Sequence, residues 1–140
     1  MNKQSPDLRR RYRARLFLAT CLAVALGITS RVVPVGALMW DKYVGDAVYA
    51  AVFYLALSLI WVTAPRRTKM ALTAVYVVAI EAFQLTPIPA QLCHSQRWVV
   101  RAFAYVILGS TFSGWDLLAY AVGIVGIAWL DGRYLDVENI

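Results

Sequence analysis

The chain has 140 residues, of which 61% are hydrophobic and only 16% are charged, and its mean hydropathy is +0.60. Ordinary soluble domains are roughly 45–50% apolar and about 25% charged. A chain this short has too little interior to bury so many apolar side chains, so the composition argues against a soluble globule and against a disordered chain. Its size fits a single domain.

The first apolar run follows a strongly basic segment, residues 1–15. The run from Leu16 to Ile28 would suit a signal peptide, but no Ala-x-Ala-type cleavage site follows it. Arg31 does not end the run, because its long side chain can reach the membrane surface. We therefore predict a retained membrane helix over about 16–33, preceded by a basic cytoplasmic arm.

Three further apolar runs predict membrane helices over about 44–64, 70–86 and 115–130. Pro65 ends the first of these and Pro87 ends the second. Together with the first helix they predict an all-α integral membrane protein. Its single transmembrane bundle, residues 16–131, has four spanning helices and is followed by a cytoplasmic tail, residues 132–140.

The segment 98–113 does not predict a full membrane-spanning helix as clearly as the four apolar runs do. Its uncharged part is shorter than the roughly 20 residues that a full span needs, and Gly109, Ser110 and Ser113 favour a break. We predict a re-entrant or interfacial segment here, and a fifth span is the alternative.

The placement of lysine and arginine predicts the orientation. Ten of the 14 basic residues lie in the N-terminal arm, the loop after the second helix and the C-terminal tail. The positive-inside rule then places both termini of this multi-pass membrane protein in the cytoplasm. The net charge of +6 is explained by this topology, so we expect membrane lipids as partners and no nucleic acid.

Three acids lie inside the predicted spans, and this topology brings them to the outer end of the bundle. Asp46 begins the second helix, Glu81 lies late in the third, and Asp116 begins the last. Polar residues follow at helical spacing and share a face with each acid: Tyr49, Gln84 and Tyr120. Intramembrane acids usually face the interior of a bundle, so we predict an outward-opening polar site, which Arg31 and Arg101 can approach from the same side.

Each acid also has a structural interpretation. Asp46 and Asp116 could cap helix starts, where an acid interacts favourably with the helix dipole. Glu81 lies where the dipole disfavours an anion, and a salt bridge to Arg101 is its structural alternative. The predicted ligand-binding residues are Asp46, Tyr49, Glu81, Gln84, Arg101, Asp116 and Tyr120, with Glu81 and Asp116 as catalytic candidates. No metal or cofactor motif is found, so we expect neither.

The residue strings around these positions resemble a known family. Gly45-Asp46-Ala47-Val48-Tyr49-Ala50, Glu81-Ala82-Phe83-Gln84-Leu85, Arg101, Leu108-Gly109-Ser110-Thr111-Phe112 and Asp116-Leu117-Leu118-Ala119-Tyr120 are similar to the small bacterial membrane proteins of domain-of-unknown-function family 2809. A more distant likeness is to VanZ-like proteins, on Asp41-Lys42, Glu81, Gln84, Arg101 and Asp116. This second resemblance implies a context of glycopeptide resistance, and the first implies no chemistry.

Several functions fit this pattern. The first is an envelope or resistance module whose polar cluster binds an amphiphilic or lipid-like small molecule. The second is an integral membrane enzyme in which Glu81 donates a proton to an isoprenoid or lipid. A structural polar network without a ligand and a transporter are the remaining alternatives. The small residues Ala119, Gly123 and Gly126 predict close helix packing within the bundle rather than a dimer interface.

Overall fold

The computed structural model describes residues 6–33, 35–37, 39–104 and 114–135. These residues form six helices in chain order, α1 (Pro6–Val32), α2 (Gly45–Ile60), α3 (Arg66–Gln84), α4 (Ile88–Cys93), α5 (Trp98–Phe103) and α6 (Gly114–Leu130). A π-helical segment, Met39–Val44, leads into α2, and a second, Asp131–Leu135, continues α6. The described ranges contain no β-strand, which confirms the all-α class.

The long helices differ from the predicted spans mainly at their ends. The described part of α1 runs from Pro6, so the helix includes most of the basic segment predicted as an arm. Arginine is a good helix former, and this favours the extension. α2 ends at Ile60, before residue 64, and α3 begins at Arg66, directly after the extended Pro65.

The segment between α3 and α6 contains the two short helices. α4 follows Pro87 and packs against the end of α3, and α5 packs against α4. Only the first part of the segment predicted as re-entrant, 98–113, is described, and α5 occupies most of it. Residues 105–113 lie outside the described ranges, so the choice between a re-entrant segment and a fifth span stays a prediction.

α2 is the central helix and contacts α1, α3 and α6, while α3 also contacts α6. α2 and α6 run in the same direction. Ala47, early in α2, lies against Gly123 in the middle of α6, and Tyr54, past the middle of α2, bonds Asp131 just after the end of α6. The close approach at Gly123 is the packing predicted there, whereas Gly126 of the same predicted face is exposed and has open space beside it. A side chain at Gly123 would collide with the backbone of Ala47.

α1 and α3 run opposite to α2 and α6. Tyr12, early in α1, accepts a hydrogen bond from Lys69, early in α3. Glu81, late in α3, accepts one from Tyr120, early in α6. The four long helices thus alternate in direction, with the beginning of α1 and the end of α6 at the same end of the molecule.

Two apolar clusters fill the space between the long helices. The first joins α1, α2 and α6 through Tyr12, Leu16, Tyr54, Leu55, Ile127 and Ala128. The second joins α2, α3 and α6 through Ala50, Val77, Tyr120 and Ile124. Tyrosines belong to both clusters, and their hydroxyls reach the polar groups at the two ends of the molecule.

The outer surface carries many large apolar side chains. Phe17 on α1 is 63% exposed, Val75 on α3 67% and Val122 on α6 70%. Two helical stretches, Pro6–Ser30 and Gly114–Leu135, are long and apolar enough to cross a membrane, and Gly45–Ile60 is apolar but shorter. An outer surface of this kind fits an apolar environment.

Candidate functional site

The three acids meet at one end of the molecule because α2 and α6 begin there and α3 ends there. Glu81 is 2% exposed and Asp116 is 4% exposed, while Asp46 is partly buried. Buried acids from two helices, with a third beside them, are the arrangement predicted from their positions in the apolar runs.

Tyr120 links these acids. Its hydroxyl donates a 2.8 Å hydrogen bond to Oε1 of Glu81. The carboxylates of Asp46 and Asp116 also lie within electrostatic range of that hydroxyl. One tyrosine hydroxyl therefore bonds the carboxylate of α3 and lies within electrostatic range of those of α2 and α6.

Two further tyrosines extend this group. The hydroxyls of Tyr49 and Tyr76 share a 2.7 Å hydrogen bond, and their ring centroids are 6.2 Å apart. The ring of Tyr49 is also 6.4 Å from that of Tyr120. We call the set the acid–tyrosine cluster: Asp46, Tyr49, Tyr76, Glu81, Asp116 and Tyr120.

Tyr76 is the member of this cluster that sequence reasoning missed. It lies in the middle of an apolar run, where a tyrosine fits an ordinary core position. Phe53 of α2 stacks on its ring at a centroid distance of 3.7 Å, which holds the ring between α2 and α3. A hydroxyl in the interior of a predicted span was the available signal.

The remaining predicted residues are placed differently. Gln84 lies one turn beyond Glu81 on α3 and is partly buried, with its Oε1 atom enclosed. Arg101 is exposed on α5, which packs on α4. The described structure therefore does not bring Arg101 to Glu81, because the short α5 is attached to α4 rather than to the bundle. The side chain of Arg31 lies outside what the structure describes.

An apolar groove of about 470 Å³ lies between α3 and α6. Ala71, Ala74 and Val78 line it from α3, and Ala121 and Val125 line it from α6. The small alanines at helical spacing leave this space open. Tyr120 lines the same groove, so the groove and the acid–tyrosine cluster share a residue.

The opposite end of the molecule holds a second polar group, which sequence reasoning missed. Asp131 is fully buried and accepts 2.7 Å hydrogen bonds from Tyr12 at Oδ1 and from Tyr54 at Oδ2. Lys69, 2% exposed, donates to the hydroxyl of Tyr12 at 3.3 Å. We call these four residues the Asp131 network.

The geometry of the Asp131 network indicates a structural role. Both carboxylate oxygens accept a tyrosine hydroxyl, and the four residues come from or adjoin α1, α2, α3 and α6. The guanidinium of Arg66 packs against Gly132, where a side chain would collide with it. Within the described ranges, no group of three or more His, Cys, Asp or Glu residues is arranged to hold a metal ion.

The fold and the site define an all-helical protein with an apolar surface, two helices long enough to cross a membrane and a buried acid–tyrosine cluster. The chain belongs to the family described as "Protein of unknown function (DUF2809)", whose sequence model matches residues 35–124. The match includes the whole acid–tyrosine cluster and excludes Tyr12 and Asp131. No curated protein and no solved structure matched the chain.

Proposed function

We propose that this chain is a multi-pass protein of a bacterial inner membrane that binds an amphiphilic, lipid-like molecule between α3 and α6. In this proposal α1, α2, α3 and α6 span the bilayer. The polar head of the ligand lies at the acid–tyrosine cluster and the apolar tail lies in the groove.

The membrane part of the proposal is supported by the exposed apolar surface and the helix lengths. The helical stretch Gly114–Leu135 has 22 residues, which at 1.5 Å per residue is about 33 Å, enough to cross a hydrocarbon layer of roughly 30 Å. α2 is shorter, and the π-helical segment Met39–Val44 lengthens it at the end where Asp46 lies. Side chains such as Val122 would then contact lipid instead of water.

The distribution of charge supports the orientation. Arg66, Arg67 and Arg133 lie at the same end as the basic first turns of α1, because that end contains the Asp131 network. Basic loops stay on the cytoplasmic side. The acid–tyrosine cluster then lies toward the outer face, where amphiphiles of the envelope are present.

The position of Tyr120 is the observation that carries the ligand proposal. Its ring lines the groove, and its hydroxyl donates to Glu81. A tail in the groove would therefore place a polar head beside the carboxylates. The groove volume falls within the range of about 300–1,000 Å³ that is typical of small-molecule sites.

The cost of burying Glu81 also supports a functional site. A carboxylate near the bilayer centre costs roughly 2.5–3.5 kcal/mol on insertion scales, so acids within spans are generally kept for a role inside the bundle. Glu81 lies late in α3, so the helix dipole does not offset this cost.

Native mass spectrometry of the protein purified in mild detergent tests the proposal. We expect a discrete bound mass on the wild type that is lost in Glu81→Gln and reduced in Tyr120→Phe. Tyr134→Phe is the matched control, because Tyr134 is exposed and distant from the cluster. Identical spectra for the wild type and Glu81→Gln would overturn the proposal and indicate a structural network.

The envelope context is the second part of the proposal and rests on the VanZ-like resemblance. Deletion of the gene should then increase susceptibility to glycopeptide antibiotics, and the wild-type chain should restore resistance where Glu81→Gln does not. Equal susceptibility of all strains would contradict a role in resistance and leave the binding proposal standing.

A further inference from the structure

We propose that the end of the molecule that holds the Asp131 network binds phospholipids with a net negative head group. This partner is distinct from the amphiphile of the α3–α6 groove. The inference shares with the proposed function only the premise that the chain spans a membrane. Exposed arginines from three elements form the binding surface. We call them the arginine surface: Arg9, Arg10, Arg11, Arg13, Arg66, Arg67 and Arg133.

The Asp131 network brings these arginines to one end of the molecule. Tyr12 of α1 bonds Asp131, and Lys69 of α3 bonds Tyr12. The arginines of α1 occupy the turns around Tyr12, and those of α3 lie within one turn of Lys69. Arg133 follows Asp131 by two positions. Each buried network residue on α1, on α3 and after α6 is therefore accompanied by exposed arginines.

Two contacts tie the segment after α6 to the other elements. Arg15 of α1 donates a 3.1 Å hydrogen bond to the carbonyl oxygen of Tyr134. The guanidinium of Arg66, at the start of α3, lies against Gly132. Arg66 therefore lies beside the backbone that carries Arg133, so two helices contribute arginines to the same part of the surface.

The described residues of this end carry few acids to balance the arginines. In the ranges 6–15, 61–70 and 131–135 the acids are Asp7, which is exposed, and Asp131, which is fully buried and bonded to two tyrosine hydroxyls. The described surface is therefore strongly positive. Guanidinium groups form paired, charge-assisted hydrogen bonds to phosphate oxygens, so a phosphate group is the matching partner.

Exposed aromatic side chains accompany the arginines. The guanidinium carbon of Arg133 lies 6.0 Å from the ring centroid of Trp129 and 5.9 Å from that of Tyr134, and both rings are exposed. Trp61, between α2 and α3, is exposed at the same end. Tryptophan and tyrosine are enriched where a membrane meets water, at the level of the lipid head groups. These rings place Arg133 at the depth of the lipid phosphates.

Apolar surface begins directly beside the arginines, and this favours a lipid over a nucleic acid. On α1, Phe17 and Leu18 are exposed little more than one turn beyond Arg13. A phospholipid matches both parts, because its phosphate meets the arginines and its acyl chains cover the apolar side chains. A nucleic acid would leave the apolar side chains uncovered. Among phospholipids, phosphatidylglycerol keeps its negative charge, whereas the ammonium group of phosphatidylcholine offsets it.

Addition of lipid to the delipidated protein tests the inference. Protein in dodecyl maltoside is titrated with dioleoylphosphatidylglycerol or dioleoylphosphatidylcholine, and native mass spectrometry counts the bound lipids. We expect phosphatidylglycerol to bind about tenfold more tightly and to raise the melting temperature, because it bonds arginines of different helices. The preference should fall when salt is raised from about 50 to about 500 mM. Equal binding of the two lipids would overturn the inference.

Matched pairs of substitutions locate the binding surface. Arg66→Gln combined with Arg133→Gln should reduce the preference for phosphatidylglycerol about threefold. Arg97→Gln combined with Arg101→Gln removes the same charge from exposed positions at the opposite end, and it should leave the preference unchanged. A loss of preference in the second pair and not in the first would overturn the proposed location.

Two further variants make the result independent of the contact at Gly132 and of the groove. Arg10→Gln combined with Arg13→Gln alters exposed positions of α1 and should also reduce the preference. Glu81→Gln, which should abolish binding of the amphiphile, should leave the preference unchanged. A preference lost in Glu81→Gln would place the lipid at the acid–tyrosine cluster and overturn the inference. Loss of the amphiphile site alone would leave it standing.

Two soluble anions separate a lipid surface from other phosphate partners. Glycerol 3-phosphate carries the phosphate without acyl chains, and a short single-stranded RNA carries many phosphates. Neither should raise the melting temperature as phosphatidylglycerol does. An equal increase with glycerol 3-phosphate, or tighter binding of the RNA than of the lipid, would overturn the inference. The wild-type titrations decide the charge preference, so no variant has to fold for the test to succeed.

Discussion

Tyr12 donates a 2.7 Å hydrogen bond to Oδ1 of Asp131, although 119 positions separate the two residues. The bond joins the beginning of α1 to the end of α6. Tyr54 of α2 bonds the other oxygen of the same carboxylate, and Lys69 of α3 bonds Tyr12. One buried carboxylate therefore organises this end of all four long helices.

Removing a hydroxyl from the Asp131 network should destabilise the fold. Tyr54→Phe leaves the ring in place but removes a hydrogen bond to a buried carboxylate, which should lower the free energy of unfolding by about 1.5–3 kcal/mol. Thermal unfolding in detergent measures the effect. Tyr134→Phe is the control and should unfold like the wild type, and an unchanged melting temperature for Tyr54→Phe would contradict the structural role of the network.

Gly123 and Gly126 should respond in opposite ways to the same substitution. Gly123→Ala introduces a methyl group against the backbone of Ala47, so it should force α2 and α6 apart and lower the melting temperature. Gly126→Ala enters open space and should be neutral or stabilising, by up to about 1 kcal/mol, because alanine favours helix more than glycine does. Equal effects of the two variants would show that α2 and α6 do not approach closely at Gly123.

Local patterns in the sequence were sufficient to predict much of the acid–tyrosine cluster. Glu81 and Tyr120 stand out as polar residues in apolar runs, and helical spacing assigns each to a face. Asp131 does not stand out, because Asp131-Gly132-Arg133 looks like an ordinary helix end. Its burial depends on Tyr12 and Tyr54, and no local pattern reports such distant contacts.

The extension of α1 and the position of Arg101 were also not predicted from the sequence. The helical structure of residues 6–15 depends on helix propensity in a basic segment, whereas the prediction followed hydrophobicity. Arg101 has the right residue type for a partner of Glu81, but its position depends on how α4 and α5 pack after Pro87. Tertiary packing, which a single sequence does not encode locally, decides the position of Arg101.

A charge on the outer face of α6 should impair membrane insertion. Val122 is 70% exposed, and a lysine at a lipid-facing position in a span costs roughly 2.5–3.5 kcal/mol. Val122→Lys should therefore reduce the amount of protein in the membrane fraction, measured by quantitative blotting, while Val122→Leu should not. An undiminished yield of Val122→Lys would contradict contact between this face and lipid.

Cysteine labelling should reveal the orientation. The test uses two single-cysteine variants in a background with Cys21→Ser and Cys93→Ser. Gln96→Cys places the thiol between α4 and α5, and Arg67→Cys places it at the start of α3. Both positions are exposed. A membrane-impermeant maleimide should label Gln96→Cys on intact cells and Arg67→Cys only after permeabilisation. The reverse pattern would invert the proposed topology.

Photo-crosslinking in nanodiscs tests the amphiphile site most directly. The probe is a hexadecanol analogue with a diazirine near the end of its tail, and peptide mass spectrometry locates the adducts. The account predicts adducts on α3 and α6 around Ala74 and Val125 in the wild type. Ala121→Phe fills the groove and should lose them, whereas Ala79→Phe, at an exposed position of α3 outside the groove, should keep them. Adducts spread evenly over exposed faces, including Phe17 and Leu22 of α1, would contradict a defined site between α3 and α6.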